Sequence, residues 1–317
     1  MSSYVLTVTL PIFLGIGLGY IAVFSKWFQA NEIKALGHYT VLIGVPALMF
    51  RGLSRQSLSS VFNPDFLAVY ALGSFSAMAV VTLVARIARG RSLSQAGLQG
   101  LGASVSNSMF VGYPIVVQVL GPAASVALAL CVLVENILVI PVGLAMADSD
   151  GVEGHSVSSA VASTFRSVLR NPMIISIALG LTFSALNLHL PEVIDKSLSL
   201  VASSTSPIAL FVIGGSLVGL RMDGMRMDVG LIVLSKLILH PLCVLVWVLL
   251  FPPTEPLLRS AAVLFAAMPM MGIYPVLAHR YGQEKLCSAA LLGATAVSFF
   301  TISTAITLLP IGWLPVR

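Results

Sequence analysis

Charge is what this chain has least of. Asp, Glu, Lys and Arg make up 9% of its 317 residues, against 57% hydrophobic residues and a mean hydropathy of +0.99. Soluble domains carry about 25% charged residues, so a water-soluble fold is excluded and a membrane protein implied. The apolar runs reach the ~20 residues that a helix needs to cross a bilayer. Cysteine is also scarce: Cys131, Cys243 and Cys287 sit in apolar runs without metal-ligand spacing, which argues against a disulfide framework or a zinc site. There is no Gly-x-Ser-x-Gly elbow, no phosphate-cradling Walker loop and no His/Cys cluster, so hydrolase and metal readings find little support and no cofactor is expected. Period-two alternation in short segments, the mark of a membrane β-barrel, is missing as well. The first apolar run has neither a basic n-region nor a small-residue cleavage pattern, and it reads as a mature helix. The net charge of +5 reads as basic loops on the cytoplasmic side of a membrane protein rather than as a nucleic-acid surface.

What is present is a repeat. Leu18-Gly19 returns as Leu179-Gly180, Pro11 as Pro172, Pro46 as Pro207 and Tyr113-Pro114 as Tyr274-Pro275, all 161 positions apart. Each half holds the same order of five apolar segments. An odd number of spans per repeat sends the second half into the bilayer from the opposite side, and inverted halves are the architecture of secondary transporters. The expected fold is therefore an all-α polytopic membrane protein of ten transmembrane helices in two inverted repeats. The spans fall at about 4–23, 34–51, 65–88, 95–119, 123–147, 172–190, 196–220, 228–251, 257–280 and 286–309. Residues 1–147 form the first repeat, 148–171 a linker and 172–317 the second repeat.

Basic residues give the orientation. Eleven, among them Lys26, Arg86, Arg89, Arg91, Arg280 and Lys285, lie at the loops after the odd-numbered spans; five, including Arg51, Arg55 and Arg259, lie on the other side. That excess places the odd-to-even loops in the cytoplasm and both termini outside an inner (plasma) membrane. The end of the linker, 157–170, has apolar residues at helical spacing beside Arg166 and Arg170. It reads either as a short interfacial helix on the anionic leaflet or as an ordinary joining segment.

Spans four and nine carry the chemistry. Span four reads Ser106-Asn107-Ser108-Met109-Phe110-Val111-Gly112-Tyr113-Pro114, and span nine reads Met268-Pro269-Met270-Met271-Gly272-Ile273-Tyr274-Pro275. Proline inside a helix lacks the N–H and clashes with the preceding turn. In hydrocarbon the freed backbone groups persist only where protein or a water-lined cavity satisfies them. One proline is a kink; a matched pair in inverted halves predicts two broken helices that cross near the midplane. Half-helix N-termini at such a crossing suit an anion such as a carboxylate.

The segment Asn107 to Pro114 resembles the asparagine-to-proline motif of the auxin efflux carrier family, which includes plant auxin exporters and bacterial permeases of malonate and related carboxylates. Pro46-Ala47-Leu48-Met49-Phe50, Asn171-Pro172, Pro207 to Gly215, His240-Pro241 and Pro269 to Gly282 match in the same order. The resemblance covers nearly the whole chain. It implies a scaffold of spans one, two, six and seven, and mobile transport helices three to five and eight to ten. Elevator-type alternating access by sliding of the mobile bundle follows from it, and a homodimer through the scaffold helices stays open. The long loop of the long plant exporters is absent, and auxin itself is not implied as the substrate.

On this reading Asn107, Ser108, Gly112, Pro114, Pro269, Gly272, Pro275 and Pro46 are the candidate substrate-binding residues. The Asn107 amide can donate and accept; it either contacts a substrate carboxylate or satisfies the backbone freed by Pro114. Ser106 and Ser108 are weaker candidates, since serine in a membrane helix often bonds its own backbone. Glu135, beside Asn136, is the one carboxylate deep in a span, and an ionisable group there is a functional-site candidate. With Asn136 and Lys236 it forms the candidate coupling set, and its expected role is proton coupling, substrate hydrogen bonding or cation coordination, against the alternative of a structural tie to a neighbouring helix. Lys236 and His240 lie four apart on one face of span eight. Lys236 either neutralises an anion or pairs with Glu135, or else snorkels to the interface; His240 reads as packing. The alternatives in function are a sodium- or other cation-coupled carrier of another solute and, outside transport, an intramembrane receptor or enzyme, for which Glu135 and His240 are the only evident bases.

Overall fold

The computed structural model describes residues 2–56, 63–121, 123–150, 170–219, 226–253 and 255–309. Among these the chain is all helical, as its long apolar runs require. In order the helices are α1 (Ser2–Phe24), α2 (Ala30–Ser54), α3 (Pro64–Ala88), α4 (Leu93–Ser104), α5 (Ser108–Leu120) and α6 (Ala123–Ala147). The second half holds α7 (Pro172–Ala185), α8 (Glu192–Ser216), α9 (Met227–Leu250), α10 (Pro256–Ala266), α11 (Tyr274–His279) and α12 (Glu284–Leu308). Seven of these segments are long and apolar enough to cross a membrane, and α5, α7 and α10 are shorter apolar helices. The chain is a multi-pass membrane protein. Span six is shorter than its apolar pattern suggests, because the helix ends at Ala185 and Asn187 turns the chain with φ of +50°. The linker helix proposed for 157–170 falls almost wholly outside the described residues.

Spans four and nine are interrupted. α4 stops at Ser104 and α5 starts at Ser108; α10 stops at Ala266 and α11 starts at Tyr274. Prolines shape the helices elsewhere too. Wide π-helical turns at Thr40–Gly44, Ser108–Gly112, Glu135–Val139 and Ser235–Leu239 each end two residues before a proline: Pro46, Pro114, Pro141 and Pro241. Proline cannot donate to the preceding turn and its ring crowds the carbonyl four residues back. Widening that turn by one residue relieves the clash, and such bulges recur at functional sites. Glu135 and Lys236 both sit in these widened turns.

Small residues decide how the helices pack. A Cβ on Gly19 would lie 2.0 Å from the Phe211 carbonyl oxygen, and one on Gly214 would lie 1.8 Å from that of Ile16, so α1 and α8 cross backbone against backbone. Gly180 of α7 likewise faces Phe50 and Leu53 of α2. Helices α1, α2, α7 and α8 form one group, and α3–α6 with α9–α12 form another. The ion pairs between described residues each stay within one group. Asp195 of α8 meets Arg51 and Arg55 of α2; Asp228 of α9 meets Arg89 and Arg91 beyond α3; Asp148 after α6 meets Arg280 after α11. Between the groups, Ser303 of α12 approaches Thr9 of α1 at 3.5 Å, the long limit of a hydrogen bond.

Candidate functional site

The two interruptions meet. Ser106 and Met270 form an antiparallel bridge, and the Asn107 N–H donates to the Pro269 carbonyl at 2.7 Å. Each break thus supplies part of what the other lost. The remaining groups are capped locally: Asn107 Oδ1 accepts from the Phe110 N–H at 3.3 Å, and its carbonyl accepts from the N–H groups of Val111 and Gly112. Asn107 thus caps the start of α5 with its oxygen; its amide nitrogen Nδ2 plays no part in that cap.

Around the meeting point lies a buried polar chain. Glu135, 4% exposed, accepts at Oε1 from the Tyr70 hydroxyl (2.9 Å), the Ser108 hydroxyl (2.9 Å) and the Ser106 N–H (3.3 Å). Lys236 is fully buried, and its Nζ reaches Ser106 Oγ at 2.9 Å, the Ala266 carbonyl at 2.7 Å and His240 Nδ1 at 2.8 Å. His240 Nε2 continues to Ser74 Oγ at 2.9 Å. Glu135 and Lys236 form no direct ion pair among the described residues; Ser106 stands between them.

The chemistry of the half-helix ends explains the placement. Glu135 brings a carboxylate to the start of α5, where unpaired N–H groups carry partial positive charge. Lys236 brings an ammonium to the last carbonyl of α10, where the partial charge is negative. Its burial excludes snorkelling and settles that alternative. Lys236, in the widened turn before Pro241, reaches the crossover through Ser106 and the Ala266 carbonyl.

The other candidates divide. Ser108 touches Glu135, and Pro114, Pro269 and Pro275 are buried at or beside the breaks. Gly112 lies against Phe265 and Met268, where a Cβ would come within 2.8 Å of the Phe265 ring. Gly272 is exposed, with open space where a Cβ would be. Pro46 follows the widened turn of α2 and belongs to the other helix group. Asn136 turns away from the chain of polar groups and donates to the Val132 carbonyl at 2.9 Å. Tyr70 and Ser74 were not among the sequence candidates. Their signal was available: two polar residues four apart on one face of an apolar helix. Ser106, a weaker candidate on sequence, is the hinge of the network. A cavity of about 590 Å³ lies elsewhere, lined by Arg55, Gln56, Ser184, His189 and Asp195 at one end of α2, α7 and α8.

Comparison with known proteins agrees with this architecture. Over 308 residues, 96% of each chain, it is 26% identical to the "Putative malonate transporter" of Rhizobium meliloti (strain 1021). It is 22% identical over 245 residues to the "Uncharacterized transporter YfdV" of Escherichia coli (strain K12), covering 74% of this chain and 76% of that one. A third relative is the mouse "Lysosomal cholesterol signaling protein", 29% identical over 213 residues, which are 63% of this chain but only 24% of that protein. These relatives and the family are transport and signalling proteins of membranes rather than enzymes. The family model described as "Membrane transport protein" matches residues 4–306, and the chain belongs to that family, the one to which the auxin efflux carriers also belong.

Proposed function

We propose that the chain is a secondary carrier of small organic anions, carboxylates of malonate or auxin type, in the inner (plasma) membrane. The observation that carries this reading is the meeting of two interrupted helices with Lys236 and Glu135 buried beside the breaks. Irregular backbone at membrane depth is tolerated where it is held by protein or lines a transport path, and buried ionisable groups there mark substrate or ion routes. The name of the Rhizobium relative points to the same substrate class.

On this reading the twelve helical pieces are ten spans in two inverted repeats, with both termini outside. The repeat-related glycines favour it: Gly19 packs α1 on α8, and Gly180 packs α7 on α2. The scaffold is α1, α2, α7 and α8, and the remaining helices carry the site across by elevator motion. In favour of sliding, the ion pairs stay within the two groups and the link between Ser303 and Thr9 is weak. Asn107, Ser108 and the breaks around Pro114, Pro269 and Pro275 receive the carboxylate, with the Asn107 Nδ2 amide as a donor to it. Glu135 takes up the coupling proton. The signalling named for the mouse relative does not come over, since this chain corresponds to about a quarter of that protein.

The test is a carboxylate screen by thermal shift, followed by uptake into proteoliposomes with and without pH and sodium gradients. A malonate-class acid should stabilise the protein and accumulate under an inward proton gradient. Accumulation driven by sodium alone would replace the proton with a cation at Glu135, and absence of any carboxylate uptake would end the carrier reading.

A further inference from the structure

Two formal charges sit at the crossover, and they cancel. Lys236 Nζ has three acceptors, Ser106 Oγ, the Ala266 carbonyl and His240 Nδ1, matching the three N–H donors of an ammonium. With the ammonium donating to it, His240 accepts at Nδ1 and carries its proton on Nε2 toward Ser74, the neutral form of the ring. Glu135 Oε1 receives two O–H groups and one N–H, the arrangement of an ionised carboxylate. The titratable groups that face Glu135 are Tyr70 from α3, Cys131 one turn earlier on α6, and Lys236 from α9 with His240 behind it. Among them Lys236 is the one group whose positive charge can offset the Glu135 carboxylate. The empty site has a net charge of zero.

A buried charge without a partner is costly, and more so in a membrane interior. A site that is neutral when empty stays neutral when loaded only if each negative charge on the substrate arrives with one positive charge. Glu135 is the carboxylate at the crossover able to accept that charge as a proton, and it accepts one. We infer that the carrier takes its substrate as a singly charged carboxylate together with one proton, and that Lys236 is the counter-ion of the bound anion. The inference rests on the carrier reading above and adds the charge of the substrate to it.

The order of events follows from the contacts. A proton from the aqueous phase bonds to a Glu135 carboxylate oxygen and removes its charge. The Lys236 ammonium is then unbalanced. A substrate carboxylate entering at the Ser106–Asn107 break replaces one of its neutral acceptors, and the loaded site is again neutral. On the far side the anion leaves and the proton returns to water. A dicarboxylic acid of the malonate type is carried in its half-protonated form, and its dianion is excluded because it would leave one negative charge unmatched.

The experiment uses the full-length protein in proteoliposomes with potassium and valinomycin to set the membrane potential at a fixed pH gradient. The probes are radiolabelled malonate and its monomethyl ester, which cannot carry a second negative charge. Initial uptake of both should be the same, within about twofold, at zero and at inside-negative potential. The ester should remain a substrate at an external pH where malonate is a dianion and its uptake has fallen at least fivefold. Uptake that changes fivefold or more with potential overturns the inference and leaves the carrier reading intact. No uptake of malonate, its ester or any other short carboxylate by folded protein overturns both. Glu135→Gln fixes a charge of +1 on the empty site, so its residual uptake should acquire a several-fold dependence on potential that a merely structural role would not produce. If that variant does not fold, the wild-type measurement decides.

Discussion

At the scale of single residues, Asn107 has two ends with different tasks. Its Oδ1 caps α5 through the Phe110 N–H, and its Nδ2, outside that cap, is the atom the proposed function assigns to the substrate. Aspartate caps as well as asparagine, whereas alanine loses about 1 kcal/mol at such a position. Asn107→Asp should therefore keep the melting temperature in detergent within a few degrees while lowering carboxylate uptake at least tenfold, because the donor is gone and an anion faces an anion. Asn107→Ala should lose both stability and uptake. Wild-type uptake by a stable Asn107→Asp protein would reduce the residue to its capping role. The capping role was one of two open in the sequence, since the break supports both readings and only coordinates show which atom makes the cap. Lys236 was undecided for a related reason. A position two turns from a helix end does not say which way a long side chain runs; its partners Ser106, Ala266 and His240 do. Tyr70 meets Glu135 across 65 residues, and Ser74 meets His240 across 166; partners so far apart leave no local spacing to read.

At the scale of helices, apolar length was sufficient to find the segments, because a bilayer of fixed thickness leaves few alternatives. Pro269 lies in the second interruption and Pro275 opens the helix after it, whereas Pro114 lies within α5, past the first interruption at 105–107. The packing of α1 on α8 was foreshadowed by Gly19, which recurs in the repeat as Gly180, but the contact itself needed the fold. A side chain at Gly19 or Gly214 would place a carbon 2.0 or 1.8 Å from a carbonyl oxygen, so the two backbones must separate. Overpacking of this kind costs about 1–3 kcal/mol or more. Gly19→Val and Gly214→Val should each lower the melting temperature and the yield of monodisperse protein on size-exclusion chromatography. Gly17→Ala, with open space around it, should behave as wild type. A Gly214→Val protein of unchanged stability would show that the two helices are not held at this distance.

At the scale of the whole molecule, the claim is that two groups of helices move past each other. Such motion requires the seam between the groups, where Phe13 meets Phe299 and Gly52 lies against Ser125, to part while each group holds together, and the buried network of Glu135, Tyr70, Ser106, Lys236 and His240 lies wholly within α3–α6 and α9–α12. The site would then travel as one unit with its charges already balanced, without breaking an ion pair at each crossing. The most direct measurement is a reversible cross-link across the seam. In a protein with Cys131, Cys243 and Cys287 replaced by alanine, Thr9→Cys and Ser303→Cys place thiols where two hydroxyl groups now stand 3.5 Å apart. A matched control, Gly15→Cys with Leu210→Cys, joins α1 to α8 inside the scaffold, where a Cβ on Gly15 would lie 3.4 Å from that of Leu210. The account predicts that oxidation of the first pair lowers carboxylate uptake at least tenfold, that reduction restores it, and that the scaffold cross-link has no such effect. Full uptake through a protein whose Thr9–Ser303 cross-link has formed would contradict it.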